Sequence, residues 1–301
     1  MSSILPEGIR RTTNPVVGRE ATVSFDRTAE PRRVVVVGAG PAGLEAGLRA
    51  QAMGHEVVVF DRRDRLGGEM LSASVPDFKW DIKRLLRYYE VEVERLGLEV
   101  RLGVHVTIDR LREWSPDAVV LATGGTAIIP DVPGIAAASV LTAVEALVDW
   151  QKRDVGERVT VLGGGLVGYE MAWFAAQQGR DVTMVSRRPE GEVGNLEEHG
   201  SNLALLIKGI RDAGVKIMAG CQLQAVEPGS VTLRGTDGSE LSHPTDHLIV
   251  AHGYRPRREL AAQIEAADLA CAVMMVGDCV EVRNFFDAIN EGAHVVREKL
   301  A

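Results

Sequence analysis

Residues 34–43 read VVVVGAGPAG and residues 159–168 read VTVLGGGLVG. Each is an apolar, β-branched run ending in Gly-x-Gly-x-x-Gly and leading into a helix-forming stretch, Leu44–Met53 in the first copy, so each reads as strand, tight turn and helix. Gly54 then supplies a helix stop, residues 55–60 (HEVVVF) a second buried strand, and Asp61 stands at its C-terminal end. From Gly43 to Asp61 is 18 residues, the length of one helix and the returning parallel strand of a dinucleotide-binding unit. The second copy lies 125 residues on and repeats the spacing, from Gly168 to Ser186. Glycine pattern, helix length and strand length recur together, which marks an internal duplication.

Each part of the pattern has a physical task. Gly38 permits the turn, Gly40 lets main chain approach a diphosphate, and Gly43 lets the helix pack closely on its strand, while the helix's first amides and its dipole attract the anion. Gly38, Gly40, Pro41, Ala42 and Gly43 form the first candidate phosphate turn, and Gly163, Gly165, Leu166, Val167 and Gly168 the second. The copies differ after the second strand. Asp61, with Arg62 beside it, suits a free ribose 2′-hydroxyl, whereas Ser186, Arg187 and Arg188 offer a hydroxyl and two guanidiniums suited to a 2′-phosphate. The first site therefore reads as one for FAD or ADP and the second as one for NADPH, with NADH the alternative if the two arginines form only a solvated turn, as Arg62 and Arg63 do in the first copy.

Composition fits two such units. The chain has 301 residues, 46% hydrophobic and 25% charged, with 32 glycines and a formal net charge of −8. These values exclude a disordered or collagenous chain, and the absence of a basic run argues against nucleic acid as a partner. The longest charge-free windows, 118–130 and 132–144, are 13 residues each, short of the roughly 20 that a membrane helix needs. With no secretory signal legible at the N-terminus, the expected compartment is the cytoplasm. Cys221, Cys271 and Cys279 form no C-x-x-C, so neither a metal site nor a disulfide relay is expected and redox chemistry must come from a bound cofactor. Trp114, Trp150 and Trp173 read as packing residues; His252 stands where the first copy has Thr123 and could approach a cofactor, the commoner reading being a histidine merely hydrogen-bonded at a strand end.

Two further segments resemble one another: residues 117–126 (DAVVLATGGT) and 246–255 (DHLIVAHGYR) are each an apolar strand ending in small residues, able to carry the chain from one domain to the next. Residues 272–278 (AVMMVGD) read as a last strand ending in Gly277-Asp278, followed by a helix over 286–297 starting near Asp287, and 77–98 as an amphipathic helix with Leu85, Leu86, Tyr89 and Val93 inward. The Asp278 carboxylate suits either a helix N-cap or an acceptor for the ribityl chain of a flavin. The expected fold class is α/β: two Rossmann-like, three-layer ββα dinucleotide-binding domains with the second inserted in the first. The FAD-binding domain is expected over 1–127 and 247–301, and the NAD(P)H-binding domain over 128–246, each a parallel sheet with helices on one face and a small antiparallel layer on the other.

These motifs resemble the nucleotide-binding C-terminal half of the old-yellow-enzyme-like flavoproteins, the family of 2,4-dienoyl-CoA reductase and trimethylamine dehydrogenase. The matching pieces are residues 14–20 (NPVVGRE), 34–47 (VVVVGAGPAGLEAG), 65–70 (RLGGEM), 121–125 (LATGG), 161–170 (VLGGGLVGYE) and 276–292 (VGDCVEVRNFFDAINEG). The resemblance implies FAD along Gly38, Gly40, Gly43, Asp61, Gly68, Met70, Thr123, Gly124, Gly277 and Asp278, with Ala288 and Ile289 near the isoalloxazine, and NADPH on the second turn with Ser186, Arg187 and Arg188. The trimethylamine dehydrogenase branch implies instead ADP held without redox use. Family members carry a flavin-mononucleotide barrel and a [4Fe–4S] cluster ahead of this half. Here about 30 residues precede the first strand, too few for a barrel, and no cysteine occurs before Cys221. The sequence thus predicts a separately encoded, or truncated, electron-delivery half that receives hydride from NAD(P)H on FAD and serves a partner protein, an FMN-containing barrel subunit. The alternatives are a non-catalytic nucleotide-holding subunit and a self-contained reductase of a small acceptor.

Overall fold

The computed structural model describes residues 14–18, 23–152, 154–189 and 200–300. The motif residues Arg19 and Glu20, and the start of the expected first domain, lie outside the described residues. The chain forms two compact units, 1–126 with 255–301, and 127–254.

The first unit opens with β1 (Arg33–Val37), α1 (Pro41–Ala52) and β2 (Glu56–Phe60). It continues with a short helix α2 (Met70–Ala73), a 3-10 turn at Asp77–Lys79, the long α3 (Trp80–Leu96), β3 (Glu99–Arg101), α4 (Ile108–Trp114) and β4 (Ala118–Leu121). β5 (Gly125–Ala127) takes the chain out. After the second unit, α8 (Glu259–Ala266), β15 (Ala272–Met275) and α9 (Phe285–Lys299) complete the first. Its sheet is parallel throughout, in the order β15-β4-β1-β2-β3.

The two-residue period of the strands sorts this core into two layers. Val34, Val36, Val57, Val59 and Val120 face α1, α3 and α9, while Val35, Val37, Val58, Phe60, Val119 and Leu121 face Leu111 of α4 and Ile264 of α8. The second face, expected to carry a small antiparallel layer, is therefore covered by helices. α1 and α9 approach closely enough that a Cβ on Gly292 would sit 2.2 Å from the Ala42 carbonyl oxygen. α3 buries Leu85, Leu86 and Tyr89 as its periodicity predicts. α9 starts slightly earlier than Asp287, because Asn284 caps it by accepting from the Asp287 amide at 3.0 Å.

The second unit runs β6 (Val140–Thr142), α5 (Ala143–Asp149), β7 (Arg158–Leu162), α6 (Leu166–Gln177), β8 (Asp181–Val185), α7 (Gly200–Asp212) and β9 (Lys216–Met218). The strands β10 (Gln222–Glu227), β11 (Ser230–Arg234), β12 (Glu240–Pro244), β13 (His247–Val250) and β14 (Tyr254–Pro256) follow. The parallel sheet has the order β6-β13-β7-β8-β9 and the antiparallel layer the order β10-β11-β12. Leu162, Val185, Leu248 and Val250 pack on Leu223, Val226, Val231 and Leu233 of that layer.

The return to the first unit falls at Arg255 and not at 247. β13 pairs in parallel with β7, Leu248 opposite Thr160, and so belongs to the inserted sheet. β5 and β14, where the chain leaves and returns, pair as a two-stranded ribbon. No helix among the described residues is long and apolar enough to cross a membrane.

Candidate functional site

The two Gly-x-Gly-x-x-Gly turns sit at the C-terminal ends of β1 and β7, the central strands of their sheets, and each opens a 12-residue helix. Ligands of open parallel sheets lie at such strand ends. Gly38 (φ +113°) and Gly163 (φ +141°) turn the chain, and a Cβ on either would lie 2.2 or 2.1 Å from the Ala122 or Ala251 carbonyl oxygen of the neighbouring strand. On Gly43 or Gly168 a Cβ would meet the carbonyl oxygen of Gly38 or Gly163 at 1.9 or 2.1 Å. These four positions admit no side chain.

Neither helix start is capped by a side chain, and neither first turn carries an acid. The leading amides beyond Pro41 and Leu166 are thus available to an anion. Gly165 has nothing within 4 Å of a would-be Cβ, and Gly40 meets only the Gly68 Cα at 3.9 Å. The space a side chain would fill above each turn fits the approach of a diphosphate.

Around the first turn the matching residues assemble. The Gly67 amide donates to the Ala39 carbonyl at 2.7 Å, and a Cβ on Gly68 would lie 2.7 Å from Gly40 Cα, so the 65–70 loop presses on the turn. The Asp61 carboxylate is engaged within the chain: Oδ2 accepts from the Ala39 amide at 2.7 Å and Oδ1 from the Arg63 amide at 2.8 Å. Arg62 is exposed, and Arg63 pairs with Glu69 at 2.7 Å. Thr123 Oγ1 donates to the Arg257 carbonyl at 2.8 Å, and the Gly124 carbonyl accepts from the Arg257 amide at 3.0 Å.

Asp278 is half-buried and is not the cap of α9; it accepts from the Arg283 amide at 3.2 Å. Burial pushes its carboxyl above the ordinary carboxylate range, against the pull of that amide, with Glu69 adding to the rise. Met70, Ala288 and Ile289 are 0%, 6% and 0% exposed and belong to the core of the first unit, while the Met70 and Ala288 amides donate to the Gly67 and Asn284 carbonyls.

In the second unit the turn after β8 is pinned on three sides. The Ser186 amide donates to the Met218 carbonyl at 3.0 Å, Cys221 to the Ser186 carbonyl at 2.9 Å, and Gly220 to the Arg188 carbonyl at 2.8 Å. Ser186 itself is 2% exposed and its Oγ accepts from the Arg188 amide at 3.1 Å, so it builds the turn, whereas Arg187 and Arg188 are exposed. Leu166 is half-buried and Val167 is exposed beside the helix start. His252 makes no hydrogen bond among the described residues; burial and then the Arg187 cation push its pKa below the ordinary value.

Sequence reasoning missed two groups. Arg257 binds the Thr123 and Gly125 carbonyls at 2.9 and 3.0 Å and Thr126 Oγ1 at 2.9 Å, holding the strand exit 123–126 in place. Glu291 accepts from the Gly277 amide at 2.8 Å and pairs with Arg283, fixing the loop that bears Asp278. Cys279 is fully buried, its Sγ directed at the Leu121 and Val276 carbonyls at 3.1 Å each, and all three cysteines are free. Trp114, Trp150 and Trp173 are packing residues: Trp114 edges onto Phe60 at 5.6 Å, Trp150 onto Phe174 at 5.0 Å, and Trp173 lies over Gly209.

Comparison with known proteins agrees with this geometry. The model of the pyridine nucleotide-disulphide oxidoreductase family matches residues 32–279. The chain is 32% identical over 277 residues to cinnamate reductase of Clostridium sporogenes, covering 92% of this chain and 40% of that protein. It is 32% identical over 291 residues to NADH oxidase of Thermoanaerobacter brockii, covering 95% and 44%. A structure of 2-naphthoyl-CoA reductase in complex with 2-naphthoyl-CoA superposes with a TM-score of 0.85 at 27% identity, over 94% of this chain and 42% of that one. The chain spans less than half the length of each of these relatives.

Proposed function

Because the chain belongs to the pyridine nucleotide-disulphide oxidoreductase family, we propose that it is an FAD-dependent oxidoreductase that takes hydride from NAD(P)H and passes the electrons to a partner protein, an FMN-containing barrel flavoprotein. The observation that carries the reading is the repeated glycine turn, built twice with uncapped helix amides and with no side chain standing above the second glycine. Held by these residues, FAD would supply two-electron redox chemistry between NAD(P)H and the acceptor. The residues bind and orient. Asp61 and the Gly38–Gly43 turn suit the adenosine diphosphate of FAD, and Asp278 its ribityl hydroxyls. Gly163, Gly165 and Gly168 suit the diphosphate of the nicotinamide dinucleotide, and the exposed Arg187 and Arg188 suit a 2′-phosphate, which favours NADPH over NADH.

Hydride transfer between two bound cofactors needs alignment and not a side-chain acid or base. A disulfide intermediary is no part of the proposal, since all three cysteines are free and Cys279 is fully buried. The relatives support an oxidoreductase role, being named cinnamate reductase and NADH oxidase.

The test is direct. The purified protein is expected to be yellow and to bleach on anaerobic addition of NADPH. A colourless protein that releases ADP on denaturation, and does not oxidise NADPH or NADH after incubation with FAD, overturns the proposal in favour of a nucleotide-holding subunit. Capture of a flavin-mononucleotide protein that oxidises the bleached form supports the partner. Equal turnover with a quinone and no partner would instead make the chain a self-contained reductase.

A further inference from the structure

Beside the second glycine turn stands a half-buried polar residue, His252, with no hydrogen-bond partner among the described residues. β13 is followed by Ala251-His252-Gly253. The Ala251 amide donates to the Leu162 carbonyl at 2.8 Å, and its own carbonyl oxygen lies 2.1 Å from where a Gly163 Cβ would be, so the main chain bearing His252 is fixed against the turn. In the first unit the corresponding residue is Thr123, whose hydroxyl is taken by the Arg257 carbonyl. His252 has no such partner among the described residues. Burial of its ring, and after it the Arg187 cation, favours the uncharged form. An uncharged imidazole carries one N–H donor and one acceptor nitrogen.

Sheet order decides which part of a dinucleotide it would meet. In the order β13-β7-β8 the glycine turn after β7 is central, with Arg187 beyond β8 on one side and His252 beyond β13 on the other. Neighbouring strands are spaced about 4.8 Å apart. A dinucleotide whose diphosphate lies at the start of α6 and whose adenosine ribose lies at the end of β8 extends its other half over β13.

We propose that His252 holds the nicotinamide-side ribose of NAD(P)H through hydrogen bonds to its hydroxyls. The assignment rests on reading the second turn as a dinucleotide site. His252 then sets affinity for the nicotinamide half of the coenzyme, while discrimination between NADPH and NADH belongs to the arginines on the far side of the turn.

The experiment is calorimetric titration of the purified protein with NADH, NADPH and ADP, for the parent, His252→Leu and His252→Gln. Leucine keeps bulk without hydrogen bonding, and glutamine keeps a donor and an acceptor. His252→Leu is expected to weaken NADH and NADPH alike by about tenfold, the scale of one hydrogen bond. ADP, which lacks the nicotinamide half, is expected to bind as before, and glutamine to restore part of the loss. His252→Ala replaces the leucine variant if that does not fold. Unchanged NADH and NADPH affinities, or an equal loss for ADP, overturn the assignment. A parent protein that binds ADP but neither NADH nor NADPH overturns the dinucleotide reading beneath it as well, so the two failures are told apart by the parent alone.

Discussion

The two glycine turns share one hydrogen-bond skeleton and differ in what stands around it. Gly38 donates to the Phe60 carbonyl as Gly163 does to Val185; Ala122 donates to Val37 as Ala251 does to Leu162; Asp61 donates to Arg101 as Ser186 does to Met218. The start of each copy is pinned alike, by Asp117 on the Arg33 amide at 2.7 Å and Asp246 on the Arg158 amide at 2.8 Å. The surroundings then diverge. The first turn has the Gly67–Gly68 loop against it and a carboxylate on its Ala39 amide, whereas nothing lies within 4 Å above Gly165 and no side chain bonds the Gly164 amide among the described residues. Main-chain geometry is what the duplication preserves, and the side chains set upon it are where the copies specialise.

The largest expected effect tests the shared skeleton. Gly38→Ala and Gly163→Ala each combine positive φ with a carbonyl about 2 Å from the new methyl, so each is expected to cost about 3 kcal/mol or more in urea unfolding. A loss under 1 kcal/mol in either copy breaks the equivalence. Next comes the contrast in what stands above the middle glycines, Gly40 with Gly68 pressed on it and Gly165 in the open. Gly68→Ala, at φ +56° and 2.7 Å from Gly40 Cα, is expected to lose both about 1–3 kcal/mol and its flavin. Gly165→Ala, in open space, is expected to change stability by less than about 1 kcal/mol yet bind NADPH at least tenfold more weakly in the same titration.

Asp278 gives a pH test. Its folded pKa lies above the ordinary value, so its ionisation opposes folding as pH rises through that folded value, and its protonated form is favoured below. Asp278→Asn is therefore expected to unfold at a higher temperature than the parent at pH 8 when flavin-free, with the gap closing at acid pH, while retaining FAD poorly in gel filtration. A parent–variant gap that stays constant with pH would show that the burial of Asp278 carries no charge penalty. The smallest effect concerns Asp246, whose carboxyl is held down at about 2, first by the Arg158 side chain. A depressed acid contributes stability above its unfolded pKa, near 3.8, and loses it as pH falls toward 2. Because the pair is partly exposed and screened by solvent, Asp246→Asn is expected to lower the urea midpoint only slightly at pH 7, and by less as the pH falls toward 2.

Much of this was legible because the duplication is written in residues that have no substitutes. A turn at positive φ beside a carbonyl requires glycine, so the spacing of Gly38, Gly40 and Gly43 and its repeat could be read directly, as could the strands whose inward faces are almost all valine. The parts that escaped reading depend on partners distant in sequence. α4 and α8 have seven and eight residues, too short for a helical period to stand out, so their place over the second face of the first sheet was assigned to strands. β13 resembles β4 residue for residue, and only pairing with β7 shows to which sheet it belongs. Arg257 and Glu291 look like surface charges in a sequence and become anchors only once strand exit and loop are folded against them.

Cys279 offers a practical reporter. Its sulfur is enclosed in the first unit between two main-chain oxygens, whereas Cys221 and Cys271 are partly accessible. An alkylating reagent should therefore modify two thiols quickly and the third only through the rare opening of the interior. The slow phase of labelling would time that opening without any engineered probe, and a bound nucleotide that stabilises the unit would lengthen it in proportion.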